Sequence, residues 1–231
     1  MFFIIIWRYI EIMPDQNKKR GITIPNYSLG EEIFNAISHG VGGLLSAAAL
    51  ILMLVKAKTP LAVVSVSVFG FAMIVLYVIS CVYHALSRRV KGKKVLRVID
   101  HCNVFFLVLG TYVPVSLLGV SGWLGWTLLG VVFAFASTGI SLNGVNVDKY
   151  KVPSVICHLV CGWSILFGVP ALLETMGRAG VYWLIAGGAA YTVGSILYGI
   201  GAKKKCIHCV FHVFCLIGTF CHFWAVYSYL L

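Results

Sequence analysis

An all-α bundle of seven membrane-spanning helices is predicted by three observations. The chain is 60% apolar and only 11% charged. Its mean hydropathy is +0.96. Its apolar residues come in long runs without the alternation that barrel strands need. Soluble domains carry about 45–50% apolar and about 25% charged residues, so a water-soluble globule is excluded. The 18 Lys and Arg against 7 Asp and Glu read as a topology signal, not as a nucleic-acid surface. A segment 1–30 precedes one membrane domain, 31–231, which no polar linker divides.

The spans are expected at about 33–55, 61–86, 98–118, 122–142, 153–173, 179–200 and 207–230. Each is long enough to cross about 30 Å of hydrocarbon at about 1.5 Å per residue. The breaks between them are the Lys56 to Pro60 turn, the basic stretch 88–97, Gly119 to Ser121, 143–151, 174–180 and the lysines 203–205. Pro114 and Pro170 read as kinks, and Gly42-Gly43 and Gly187-Gly188 as points of close helix approach. Arg8, Lys18, Lys19, Arg20 and the second, fourth and sixth connections hold all the Lys and Arg except Lys56, Lys58 and Arg178. The positive-inside rule therefore places the amino terminus in the cytoplasm and the carboxyl terminus outside. Residues 1–13 have an apolar run but neither a basic start nor a small-residue cleavage site, so they do not read as a signal peptide, and Met13 is an alternative start. The eight cysteines lie in or beside spans and read as small packing residues rather than a disulfide framework. Cys206-x-x-Cys209 is a weak metal or redox signal.

Ionisable residues at membrane depth cost at least about 2.5–3.5 kcal/mol, so each marks a candidate site. Glu32, Asn35 and His39 open the first span, Ser80 and His84 close the second, Asp100 and His101 open the third, His158 opens the fifth, and His208 and His212 open the seventh. Six of the seven histidines thus fall in one leaflet, with His222 deeper. His208 and His212 are i and i+4, on one face of a helix and one turn apart. Ser80 and His84 repeat that spacing at the corresponding depth of the second span. A bundle that joins the second and seventh helices would gather His84, His208 and His212 around one point. Three imidazoles with an open position form a catalytic zinc site, whereas interfacial histidines that simply face water are the plain alternative. Asp100 could hold a water at such a site or support a ligand, and Ser80 could fix the His84 ring or donate to a substrate oxygen. Glu32 and His39, spaced i and i+7, share a face and could hydrogen-bond across helices. His158 reads as a packed polar residue.

The ordered motifs Glu32-x-x-Asn35-x-x-x-His39-Gly40, Ser80-x-x-x-His84, Asp100-His101 with Gly110-Thr111-Tyr112-x-Pro114, Gly122-Trp123, and His208-x-x-x-His212 with His222-Phe223-x-Ala225-Val226 resemble the bacterial haemolysin III-related proteins. These belong to the larger group of progestin and adiponectin receptors. The resemblance runs from about Glu31 to Leu231. It implies a seven-helix protein of the bacterial plasma membrane with a zinc ion in the cytoplasmic half. The ligands would be His84, His208 and His212, with Asp100 holding the zinc-bound water. Glu32, Asn35 and His39 match the first motif, whose role the resemblance leaves open. Cys102 and Asn103 depart from the usual pattern, as do Phe and Ala in the fourth helix where Trp is usual. None of these is a proposed ligand.

Three function classes follow. The first is a metal-dependent hydrolase of a lipid amide or ester, with Asp100 and Ser80 in catalytic roles and a membrane lipid as substrate. The second is a non-catalytic regulator or receptor of membrane state with structural zinc. The third is the cytolytic pore-former that the family name suggests. No nucleic-acid partner is expected.

Overall fold

A computed structural model describes residues 21–201 and 204–231. The basic residues Arg8, Lys18, Lys19, Arg20 and Lys203, and both candidate start sites, lie outside the described residues. Helices are α1 (Leu29–Lys56), α2 (Pro60–Ala85), α3 (Lys93–Pro114), α4 (Gly122–Asn146), α5 (Lys151–Trp163), α6 (Val169–Gly201) and α7 (Ile207–Tyr229). A π-helical turn, Val115–Val120, extends α3, and a 3₁₀ turn, Ser164–Gly168, joins α5 to α6. No strand occurs among the described residues.

Local chemistry sets the helix ends. Ser28 and Glu31 form a reciprocal capping box at α1, in which the Ser28 hydroxyl accepts from the Glu31 N–H and the Glu31 carboxylate accepts from the Ser28 N–H. Thr59 caps α2, and Pro60 takes the first helical position, where its missing N–H costs nothing. Pro114 sits at the point where α3 widens into the π turn, as expected of a residue that cannot close the regular ladder.

Among the described residues, six helical segments are long and apolar enough to cross a membrane: Leu29–Lys56, Pro60–Ala85, Lys93–Val120, Gly122–Asn146, Lys151–Gly199 and Ile207–Tyr229. The fifth, 49 residues long, folds back on itself. Gly177 adopts φ +64°, a left-handed conformation that side chains rarely take. Its two arms pair antiparallel, Lys151 Nζ reaching the Tyr198 carbonyl at 3.1 Å and the Trp163 indole donating to Thr192 Oγ1 at 3.1 Å.

The helices follow one another around the bundle, and α7 closes the ring against α1. At one end, called here the proximal end, α1, α3, α5 and α7 begin and α2, α4 and α6 finish. Polarity is reversed relative to a soluble bundle: Asn35 is 0% exposed while Leu44 is 75% exposed. An apolar exterior around a polar interior is the arrangement that lipid selects. This is a multi-helix membrane protein.

Two charges assigned above to a loop are interior. Lys93 and Arg97 lie in the first turns of α3 and are 1% and 5% exposed. Each is stabilised by a partner: Lys93 Nζ meets Glu32 Oε1 and the Leu86 carbonyl, both at 2.7 Å, and Arg97 grips Asp148 through both terminal nitrogens. One glycine of each pair marks close approach. A Cβ on Gly187 would overlap the His222 ring, and one on Gly42 would stand 2.7 Å from Leu216 of α7.

Candidate metal centre

At the proximal end, α2 and α7 bring His84, His208 and His212 together, all buried, with one ring nitrogen of each within 4.8 Å of the others. The i, i+4 spacing stacks His208 and His212 along α7 and aims their Nε2 atoms at each other, 3.2 Å apart. Two nitrogens bound to one zinc at about 2.0–2.1 Å and tetrahedral angles stand about 3.3 Å apart, so this spacing suits a shared ion.

Glu32 sets the orientation of His84. Its Oε2 accepts from His84 Nδ1 at 2.6 Å, so Nδ1 is the donor and Nε2 is the ring nitrogen left for a metal. That Nε2 is buried and has no hydrogen-bond partner, a costly state that a metal ion would relieve. Three imidazoles with one bare, correctly oriented nitrogen therefore form a group that could hold a metal ion.

The spacing puts Glu32 on one face with His39 and makes Ser80 a candidate either to orient His84 or to donate to a substrate oxygen. The structure gives the first task to Glu32, because α1 and α2 pack side by side and place the start of one next to the end of the other. Ser80 instead meets the half-buried Asp100 carboxyl. Ser80, Asp100, His208 and His212 all line one large cavity. His39 stacks on His212 with ring centroids 3.7 Å apart, and one turn earlier Asn35 is buried with both amide atoms unpaired. His101 donates to the Arg97 carbonyl, His222 to the Leu184 carbonyl, and His158 packs edge-on to Tyr191 in the cavity wall. The free cysteines form no disulfide among the described residues.

Three residues around this centre escaped the sequence reading. Lys93 neutralises Glu32 from the side opposite His84. Arg97 ties Asp148 to the Thr23 carbonyl. Tyr27, just before α1, lies face to face with His208 at 4.7 Å. The available signal was the register Lys93, Arg97, Asp100, His101, which puts these side chains on one side of α3. Asp148 is outside the spans. Burial raises its carboxyl, but the hydrogen bonds from Arg97 and Thr23 prevail and hold it below its ordinary value.

The cavity has a volume of about 150 Å³ and runs from the histidines past Leu76, Val104 and Val108 to Leu184 and His222. Its walls are mostly apolar, with the polar groups gathered at the histidine end. A chain of hydroxyls crosses beneath it, Tyr77 donating to Thr219 at 2.6 Å and Thr219 meeting Tyr191 at 2.7 Å.

Residues 27–223 match the profile of a family described as Haemolysin-III related, which covers every residue of the centre and the cavity wall. The chain belongs to the Haemolysin-III related family. It is 36% identical to Hemolysin-3 of Bacillus cereus over 204 residues, 87% of this chain and 92% of that one. The Monocyte to macrophage differentiation factor of Homo sapiens is 25% identical over 172 residues, 71% of this chain and 69% of the relative. The Adiponectin receptor protein of Drosophila melanogaster is 23% identical over 178 residues, 62% of this chain and 37% of the relative. The haemolysin III resemblance read from the ordered motifs is thereby established, and the link to the adiponectin receptor group with it.

Proposed function

We propose that this haemolysin III-related chain is a zinc-dependent hydrolase of a lipid amide or ester. The observation that carries the proposal is the bare, buried Nε2 of His84, oriented by Glu32 toward the His208 and His212 pair. Zinc held by His84, His208 and His212 would polarise a substrate carbonyl and make water nucleophilic near neutral pH. Asp100 orients the attacking water and accepts its proton. Ser80 donates its one hydroxyl proton to the Asp100 carboxylate and so keeps it aimed at the water. The apolar cavity takes an acyl chain and excludes bulk water, and Glu32 with Lys93 keeps His84 in place.

The same reading includes seven crossings with a cytoplasmic amino terminus and an outer carboxyl terminus, in the bacterial inner membrane. The back-folded fifth segment supports the count, since 49 residues would extend about 74 Å if straight, far beyond about 30 Å of hydrocarbon. Cysteines introduced singly at Gly177 and Gly122 would label from outside in whole cells, and one at Lys91 only after permeabilisation. Label at Lys91 in intact cells refutes the orientation.

The test of function is metal content and turnover together. Wild-type protein should hold about one zinc per chain, and the His208→Ala, His212→Ala double variant none. Asp100→Asn should retain metal and lose turnover by about 10²–10⁴-fold, the usual weight of a general base. Metal retention with unchanged turnover refutes the role of Asp100. The name Hemolysin-3 borne by the Bacillus cereus relative favours a second, cytolytic reading. Dye release from liposomes by the purified protein would support that reading, and intact liposomes would remove it.

A further inference from the structure

A second, smaller chamber opens at the proximal end. Its volume is about 30 Å³, and it shares His101, Lys151, Tyr198 and His208 with the walls of the large cavity. It adds residues that the large cavity lacks: Pro25 and Tyr27 from the segment before α1, Tyr83 from α2 and Arg97 from α3. The segment 21–28 roofs it and is tied down at three points. The Thr23 N–H donates to Asp148 at 2.8 Å, Arg97 donates to the Thr23 carbonyl at 2.7 Å, and Arg88 donates to the Ile24 carbonyl at 2.9 Å and to the Asn26 side chain.

The walls of this chamber carry three phenols, a guanidinium and an ammonium. Tyr27, Tyr83 and Tyr198 all line it, and none of their hydroxyls bonds to a described residue. Arg97 is paired with Asp148, yet its Nε is buried without a partner. Lys151 brings a second cation, its ammonium held over the Tyr198 ring at 4.3 Å. Phenols and a guanidinium edge ask for an acceptor-rich, negatively charged ligand group. At about 30 Å³ the chamber is small, which suits a compact anionic group such as a carboxylate.

We propose that the chamber is a carboxylate subsite on the leaving-group side of the metal centre, and that the ligand class is an N-acyl amino acid. The assignment rests on the hydrolase reading above. The acyl chain lies in the large cavity, the amide carbonyl at the histidines, and the amino-acid carboxylate in the chamber just beyond His208. Hydrolysis adds water across the amide: its oxygen bonds to the acyl carbon, the C–N bond breaks, and the nitrogen leaves with the water's protons. The products are a fatty carboxylate and a free amino acid, with no oxidant or reductant.

The test is equilibrium binding of radiolabelled N-dodecanoylglycine to the full chain in nanodiscs, with and without zinc, in competition with three unlabelled ligands. These are N-dodecanoylglycine, N-dodecanoylglycinamide, which lacks the charge, and dodecanoic acid, whose carboxylate cannot extend past the amide position. N-dodecanoylglycine should bind at least 10-fold more tightly than either competitor, with or without zinc. A Tyr27→Phe, Tyr198→Phe double variant, which keeps both rings, should close the gap from the glycinamide to under 2-fold. Equal affinity of the glycine and glycinamide forms overturns the subsite, and so does a gap that survives in the double variant. Dodecanoic acid binding as tightly as N-dodecanoylglycine overturns the acyl-amino-acid assignment. Dodecanoate release from the two amides by the zinc-loaded protein separates the two readings. Release from both amides at equal rates without a binding gap leaves the hydrolase and removes the subsite. A binding gap without release leaves the subsite and removes the hydrolase.

Discussion

Replacing Glu32 tests how the metal centre and the fold are coupled. The carboxylate holds two groups at once, accepting from His84 Nδ1 at 2.6 Å and from Lys93 Nζ at 2.7 Å. Glu32→Gln keeps the volume and one acceptor oxygen but removes the charge. A carboxylate behind a metal-binding imidazole is worth about 10–100-fold in metal affinity, or about 1.4–2.7 kcal/mol. The same change leaves the Lys93 ammonium, itself 1% exposed, with the Leu86 carbonyl and the Tyr83 ring face as its partners. Breaking a buried pair from one side costs about 3–5 kcal/mol, more than the pair itself contributes. Adding Lys93→Met to Glu32→Gln removes the stranded charge. The double variant should recover most of the thermal stability of the metal-free protein while its metal affinity stays about 10–100-fold reduced. Thermal denaturation of chelator-treated protein gives the first quantity, and competition with a chromogenic chelator gives the second. The reasoning is refuted if Glu32→Gln binds metal within about 3-fold of wild type, or if the double variant is no more stable than the single one.

The remaining predictions concern the roof, the packing and the fold-back. Asp148 has a lowered carboxyl in the folded state, so its ties to Arg97 and Thr23 contribute stability above the ordinary value of 3.8 and lose it as pH falls through the lower folded value. Asp148→Asn should therefore flatten the acid side of the stability-against-pH curve, and an unchanged acid limb would count against the latch. Gly187→Ala should cost about 1–3 kcal/mol because its new methyl overlaps His222, whereas Gly188→Ala, whose Cβ meets Trp163 at an ordinary 3.9 Å, should be nearly neutral. Thermal scans showing equal effects at the two positions would refute the packing argument. Gly177→Ala, forced to φ +64°, should lose about 1 kcal/mol even though nothing lies within 4 Å of the new methyl, and a neutral result would mean that the turn relaxes.

The membrane class, the helical spans and the candidate ligands were legible in the chain because each rests on a local rule. Hydropathy over about 20 residues decides what enters lipid, and i, i+4 spacing decides that His208 and His212 share a face. The family followed from five ordered motifs that survive without knowledge of packing. The fifth segment shows the same locality: residues 174–180 read as a break, and Gly177 bends the helix there. Packing decided the rest. Lys93 and Arg97 looked like loop charges because a cation without its partner is priced as exposed, and those partners, Glu32 and Asp148, are 61 and 51 residues away. Glu32 rather than Ser80 behind His84, and Tyr27 against His208, depend equally on helices that are distant in sequence and adjacent in space. An ionised or bare polar group is tolerated in a membrane interior only when a specific neighbour satisfies it, and only the closed ring of helices specifies that neighbour.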